Sequence, residues 1–301
     1  MNYIGKKLFI LSVLFLSACA PAMEQIGAPQ VNAIFDNEGK PVPALAKLLQ
    51  AFDIKAESPQ EIVKATQATW LRTAGKERWE AEDPYASRKE ELMPLFEQIG
   101  VIAERKPELK EYDYALIMGG LYRRVADRTA YASELWQKGI RFKEIVLLGS
   151  ERGLNPKEEP VSHFFDFNYQ TPLDEIPKTE YDMMQFVYAN TGMPLEMLQT
   201  ALTPINTPNT IVNGQTKRAT TQDTINEWLK TNPKPGSCLV ISNQPHVDYQ
   251  KSVTKTFLPE TFTVDAAGRA WNKAGKVNEI LDAIARWIYQ ENLLREKNNK
   301  K

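Results

Sequence analysis

From Tyr112 onward, short apolar runs alternate with longer amphipathic segments, and this alternation constrains the fold more than any other feature. The apolar runs are residues 114–118, 144–148, 210–212, 239–241 and 261–264. Buried strands that alternate with helices indicate a parallel sheet covered on both faces. We therefore predict an α/β fold for residues 111–296, a Rossmann-like three-layer sandwich with a mainly parallel sheet of about five strands.

Residues 41–110 show helix signals and no strand signal. Residues 58–61 read Ser-Pro-Gln-Glu, a capping box with proline at the first helical position, and residues 87–90 read as a second capping box. Gly100 follows the second amphipathic run and predicts its end. We expect an N-terminal helical region that packs on the α/β domain.

The first residues have the order of a secretory signal peptide. Lys6 and Lys7 precede an apolar run over residues 8–16, which is too short to span a bilayer as a permanent helix. The run ends in Leu-Ser-Ala-Cys at Cys19, which resembles the lipobox of bacterial lipoproteins. The alternative is an ordinary signal peptide with a coincidental cysteine.

The lipobox resemblance implies removal of residues 1–18 and acylation of Cys19 with palmitate-type chains, so that membrane lipid becomes a partner of the chain. Residues 19–40 then form a tether between the lipid and the domain. Ala20, rather than aspartate, follows the cysteine. That choice resembles sorting to the outer membrane of the bacterial envelope, on the side that faces the periplasm.

Charge and composition argue against several function classes. Without Lys6 and Lys7, the 37 basic residues become 35 against 38 acidic ones, so the net charge gives no reason to expect a nucleic-acid partner. Two histidines, and Cys238 as the one cysteine other than Cys19, offer little material for a metal site. Cys238 lies in an apolar run and is expected to be a buried, inert thiol. The sequence identifies neither a cofactor nor a protein partner.

Glycine turns follow the first two predicted strands. In open α/β sheets, ligands bind outside the carboxyl ends of the strands. Gly119 and Gly120 follow the first strand and are succeeded by Arg123, whereas Gly149 and Ser150 follow the second. Glycine admits a ligand close to the backbone, and a helix start offers free N–H groups to an anion. The alternative is a tight strand–helix turn with no ligand.

Two polar segments complete the set of candidate site residues. Arg218, Thr220 and Asp223 stand at a predicted helix start and are suited to phosphate or another polar group; a solvated helix cap is the alternative. The other segment follows an apolar strand and contains Ser242, Asn243 and His246. Imidazole serves as acid, base or donor near neutral pH, so His246 is the candidate acid/base; a histidine that caps its helix is the alternative. Asp223 is the candidate carboxylate that orients Arg218 or His246.

In order, these segments resemble the SanA/YdcF/ElyC-like family of bacterial envelope proteins, catalogued as a domain of unknown function. The matching positions are Gly119-Gly120, Gly149-Ser150, Thr179-Glu180, Gly192-Met193-Pro194, 218–223 and 242–246. The resemblance implies a Rossmann-like domain over about residues 112–268. The chain departs from the family pattern at Ala219, Gln222, Asp223, Pro245 and Tyr249. Residues 213–215, Asn-Gly-Gln, stand where the family has an acidic residue, so a family carboxylate is missing or moved to Asp223.

Two functions from different classes follow. The first is a lipid-anchored binding protein whose single pocket at the strand ends holds a phosphate-bearing, nucleotide-like or polar envelope ligand. The second is a hydrolase or transferase that acts on an envelope intermediate, with Arg218 as anion ligand and His246 as acid/base. The substitutions at family positions favour the first.

Overall fold

The computed structural model describes residues 33–72, 82–165 and 176–299. The predicted signal peptide, Cys19 and most of the predicted tether lie outside these residues. Within the described part of the chain, no helix is both long and apolar enough to cross a membrane.

A five-stranded parallel sheet forms the centre of the molecule, as predicted. The strands, in chain order, are β1 (Glu111–Met118), β2 (Arg141–Ser150), β3 (Ala201–Thr207), β4 (Thr210–Val212), β5 (Gln215–Lys217), β6 (Ser237–Asn243) and β7 (Thr263–Arg269). The main sheet has the order β3-β2-β1-β6-β7, with every neighbouring pair parallel. In register, Ile117 of β1 lies between Leu147 of β2 and Ile241 of β6. The strand order reverses between β1 and β6, which makes this crevice the topological switch point.

Helices cover both faces of the sheet. In chain order they are α1 (Pro43–Ala51), α2 (Pro59–Trp70), α3 (Lys89–Ile99), α4 (Tyr122–Gln137), α5 (Glu180–Asn190), α6 (Leu195–Leu198), α7 (Thr221–Leu229), α8 (Val247–Phe257) and α9 (Val277–Asn299). Side chains of a strand alternate between its two faces. Ala115 and Ile117 therefore pack in the core under α4 and α5, whereas Leu116 and Met118 pack under α7 and α8. The result is a Rossmann-like sandwich.

The N-terminal helices share a third core with α9. Leu48, Ile62 and Phe96 are fully buried together with Ile284 and Trp287 of α9. In the described parts of residues 41–110 the regular elements are helices, as predicted, and no strand occurs. Because α9 packs on α8 as well as on α2, it joins the helical region to the α/β sandwich.

The helix ends predicted inside the helical region are only partly correct. The Ser58 hydroxyl accepts from the Glu61 amide in a capping box, and Gly100 ends α3 with φ +88°, both as predicted. The second capping box is wrong. Ser87 lies inside a 3₁₀ turn, Ala86–Arg88, and α3 begins at Lys89. A residue inside that turn lacks the extended backbone that an N-cap needs.

The third strand of the sheet is not the predicted one. Residues 210–212 instead form a hairpin, β4–β5, that closes at Asn213-Gly214, where both residues have positive φ. The strand that pairs with β2 is β3, which contains Pro204 and lies at the sheet edge. Edge strands tolerate proline and polar residues because one side needs no partner, so β3 lacks the apolar run of a buried strand.

Candidate functional site

A cavity of about 680 Å³ opens at the carboxyl ends of the strands. Six of the residues proposed from sequence line it together: Gly119, Gly120, Ser150, Arg218, Thr220 and His246. They come from the ends of β1 and β2 and from the starts of α7 and α8. The sheet thus brings segments that are far apart in sequence to one place, beside the β1–β6 switch point.

The remaining candidates lie outside the lining of this cavity. Gly149 packs against α5, because a Cβ atom there would stand 3.1 Å from Tyr181 Cα and 3.2 Å from Met184 Sδ. Ser242 is fully buried and its hydroxyl donates to Gln250 Oε1. Arg123 is exposed on the first turn of α4. These positions give Gly149 and Ser242 packing roles.

Asn243 is held by an arginine that the sequence patterns do not single out. Arg128 of α4 is 2% exposed and donates through Nε and Nη2 to Asn243 Oδ1, at 3.1 and 2.8 Å. Its Nη1 donates to the Met118 carbonyl at 2.8 Å and also to the Gly119 carbonyl. Arg128 therefore ties the end of β1 to the end of β6 and fixes the floor of the cavity.

A buried ion pair supports the glycine turn after β1. Arg152 binds Glu159 with two parallel hydrogen bonds of 2.7 and 3.0 Å. Arg152 also donates to the Gly120 carbonyl at 3.0 Å, while Glu159 accepts from the Tyr122 amide at 3.1 Å. Bidentate pairs fix geometry as well as charge. The Gly120 turn is consequently held from both sides.

Glu180, the first residue of α5, is a buried carboxylate in the cavity wall. The Ser150 hydroxyl donates to Glu180 Oε2 at 2.6 Å. Burial raises the pKa of Glu180, against the opposing effects of the Arg152 charge and the Ser150 hydrogen bond. A Cβ atom at position 119 would stand 3.0 Å from Glu180 Oε1 and 2.7 Å from the Leu148 carbonyl. This close approach explains the glycine at 119.

His246 stands beside Glu279 of α9. The His246 side chain is almost fully buried, and its Nε2 atom lies 3.4 Å from Glu279 Oε1. Arg124 of α4 donates to the same carboxylate oxygen. Burial alone would raise the pKa of Glu279, but hydrogen bonding with His246 and the charge of Arg124 hold that pKa well below its usual range. The carboxylate that contacts His246 is therefore Glu279, whereas Asp223 is the residue predicted for this role from the sequence.

Asp223 belongs to the N-terminal cap of α7, which is the alternative predicted for this segment from the sequence. Its Oδ2 atom accepts from the Thr220 amide at 2.8 Å and from the Thr220 hydroxyl at 2.7 Å. This capping box starts α7 and places Arg218 just before the helix. Asp223 thus orders the segment that carries Arg218, and it lies outside the cavity lining.

Two further arginines reach the cavity from α9 and from the segment after α2. Asp282, on α9, accepts from Arg286 Nε at 2.9 Å and from Arg72 Nη1 at 3.2 Å. The Asp282 side chain is 4% exposed, whereas those of Arg72 and Arg286 are 20% and 32% exposed. The helical N-terminal region therefore contributes Arg72 to the wall of the cavity.

The lining of the cavity is basic. Among the described residues that line it, seven carry a positive charge, six arginines and Lys276, against four carboxylates, Glu158, Glu180, Glu279 and Asp282. Within the same part of the chain, no group of three or more His, Cys, Asp or Glu residues is arranged to hold a metal ion. The charges of the described lining residues favour an anionic ligand.

The residues that support the cavity were not predicted from the sequence, because their roles depend on contacts between elements that are far apart in the chain. Arg128 was detectable in principle, since it lies among buried residues of α4, next to Thr129 and three residues after Val125. Glu279 and Asp282 read as ordinary charges of an amphipathic helix. Their roles depend on the position of α9, which a local pattern does not contain.

No protein-family model matches this chain, and neither a curated protein nor a solved structure matches it. The resemblance to the SanA/YdcF/ElyC-like family consequently depends on the ordered sequence segments alone.

Proposed function

We propose that this chain binds a small phosphate-bearing or nucleotide-like ligand in the cavity at the β1–β6 switch point. The observation that carries the proposal is the excess of positive charge among the described lining residues, seven basic groups against four carboxylates; the excess remains when Glu159, the partner of Arg152 outside the lining, is counted as well. Arginine presents a fork of donors that matches phosphate oxygens, and ligands of doubly wound sheets bind at this location.

Arg218 is the main ligand-binding cation in this proposal. It is exposed, lines the cavity and stands two residues before Thr220, the N-cap of α7; Thr220 and Thr221 line the same cavity. The Gly120 turn lets the ligand approach the backbone. His246, at the start of α8, contributes a further donor to the lining.

Calorimetric titration of the purified chain with inorganic phosphate and with AMP tests this proposal. We expect Arg218→Ala to weaken binding about tenfold, since a hydrogen-bonded ion pair is worth about 1.5–3 kcal/mol and 1.4 kcal/mol is tenfold. Lys217→Ala is the matched control, because Lys217 is exposed, adjacent in sequence and outside the lining. The proposal is wrong if no anion binds, or if both variants weaken binding equally.

We also propose that the chain is a lipid-anchored protein of the bacterial envelope and a divergent relative of the SanA/YdcF/ElyC-like family. The leader that ends at Cys19 supports the anchor. The ordered glycine, arginine and histidine segments, at the ends of β1, β2 and β6 and at the start of α7, support the relationship. An envelope location would give the cavity access to phosphorylated envelope intermediates.

A second candidate function is hydrolysis or group transfer on such an intermediate. The observation that favours it is the contact between His246 and Glu279 in the cavity wall. A carboxylate beside an imidazole orients the ring, so His246 has the setting of a general acid or base. Release of inorganic phosphate from phosphorylated envelope precursors, lost in His246→Gln and kept in Lys217→Ala, would establish an enzyme. Binding without release would leave a binding protein.

A further inference from the structure

Basic residues line the cavity on both sides of the switch point. Arg218 precedes α7, which packs on β2 and β3. Arg286 belongs to α9, which packs on α8, and α8 covers β6 and β7. Since the β1–β6 crevice has β2 and β3 on one side and β6 and β7 on the other, Arg218 and Arg286 approach it from opposite sides.

The group on the α9 side is built around one buried carboxylate. The Asp282 carboxylate accepts hydrogen bonds from Arg286 Nε and Nη2, at 2.9 and 3.2 Å, and from Arg72 Nη1, at 3.2 Å. Two guanidinium groups thus share one carboxylate. A shared buried carboxylate holds both donor forks in place before a ligand arrives, which lowers the entropic cost of binding.

We propose that the cavity has two anion subsites and takes a ligand with two separate phosphate groups. One subsite is Arg218 with the start of α7, and the other is the pair Arg72 and Arg286. This inference rests on the proposed function and names its ligand class. In this proposal the N-terminal helical region takes part in ligand binding, because Arg72 follows α2 and completes the second subsite.

The size of the cavity agrees with a ligand of this kind. Its volume of about 680 Å³ lies within the range of about 300–1,000 Å³ that small-molecule pockets occupy. The Gly120 turn and His246 also line the cavity. The part of the ligand that joins its two phosphates would contact these residues.

A series of alkyl bisphosphonates with increasing spacer length, compared with inorganic phosphate by calorimetry, tests the inference. Two subsites on one molecule convert the second contact into an intramolecular one, so the best spacer should bind at least about tenfold more tightly than phosphate. Arg218→Ala and Arg72→Ala should each abolish most of that gain. Lys217→Ala and Lys64→Ala are the controls; Lys64 is exposed on α2 and outside the lining.

The outcomes separate this inference from the proposed function. If phosphate binds in an Arg218-dependent manner but no spacer binds more tightly, the second subsite is wrong and the proposed function stands. If no anion binds, both are wrong. If a bisphosphonate binds tightly and Arg72→Ala leaves its affinity unchanged, the assignment of the second subsite is wrong. Should Arg72→Ala not fold, Arg286→Lys replaces it, since it keeps the charge and removes the fork; a loss of at least about threefold is expected.

Discussion

Replacement of Arg128 by alanine should destabilise the protein strongly. Arg128 is 2% exposed, and its loss leaves three acceptors without their donor: the Met118 and Gly119 carbonyls and Asn243 Oδ1. A buried hydrogen bond from a charged donor, such as the one to the Met118 carbonyl, contributes about 1.5–3 kcal/mol to stability. The bonds to the Gly119 carbonyl and to Asn243 Oδ1 are only partly buried, so each contributes less. We expect a loss of about 3–5 kcal/mol, a large share of the roughly 5–15 kcal/mol of a typical domain.

Urea denaturation measures this loss as a lower midpoint with an unchanged slope. Arg123→Ala is the control, because Arg123 is exposed on the same helix; its effect should stay within about 0.5 kcal/mol. Asn243→Asp keeps the acceptor and should be far milder than Arg128→Ala. If Arg128→Ala lowers the free energy of unfolding by less than about 1 kcal/mol, Arg128 does not stabilise the junction between the ends of β1 and β6.

Three more outcomes are expected. Burial raises the pKa of Cys238 to about 12, so its thiol should resist a thiol reagent at pH 8 until urea unfolds the chain; rapid labelling of the native protein would contradict this. The depressed pKa of Glu279 favours the folded state above about pH 4.3, the ordinary value, and this contribution disappears as pH falls. Wild type should therefore lose more stability than Glu279→Gln between pH 5 and pH 3 in unfolding titrations. Cys19→Ala should move the protein out of the membrane fraction with loss of lipid label; full retention would contradict the proposed anchor.

The sheet was predictable because its central strands are buried on both faces. β1, β2 and β6 each carry a continuous apolar run, and such a run followed by glycine or a polar cluster is typical of a central parallel strand. β3 was missed because an edge strand pairs on one side only and carries Thr203, Pro204 and Asn206. Its neighbour 210–212 has more strand-like residues but pairs locally.

The cavity was predictable in location and less so in composition. The rule that ligands bind at strand ends placed Gly120, Arg218 and His246 near one another. It did not separate Ser150, which lines the cavity, from Gly149 one position earlier, which packs against α5. The charges that complete the wall, among them Arg72 and Asp282, come from the segment after α2 and from α9, outside the strand–turn segments. Their contribution follows from how α2 and α9 pack, which no single window of sequence encodes.

The most direct measurement of the central claim is a crystal structure of the protein with tungstate, a phosphate analogue that its anomalous scattering locates directly. We expect an anomalous peak in the cavity between the carboxyl ends of β1 and β6, with the tungstate oxygens about 2.7–3.2 Å from the Arg218 guanidinium. A cavity without a peak, in a crystal where tungstate occupies other sites on the chain, would contradict the proposed anion site.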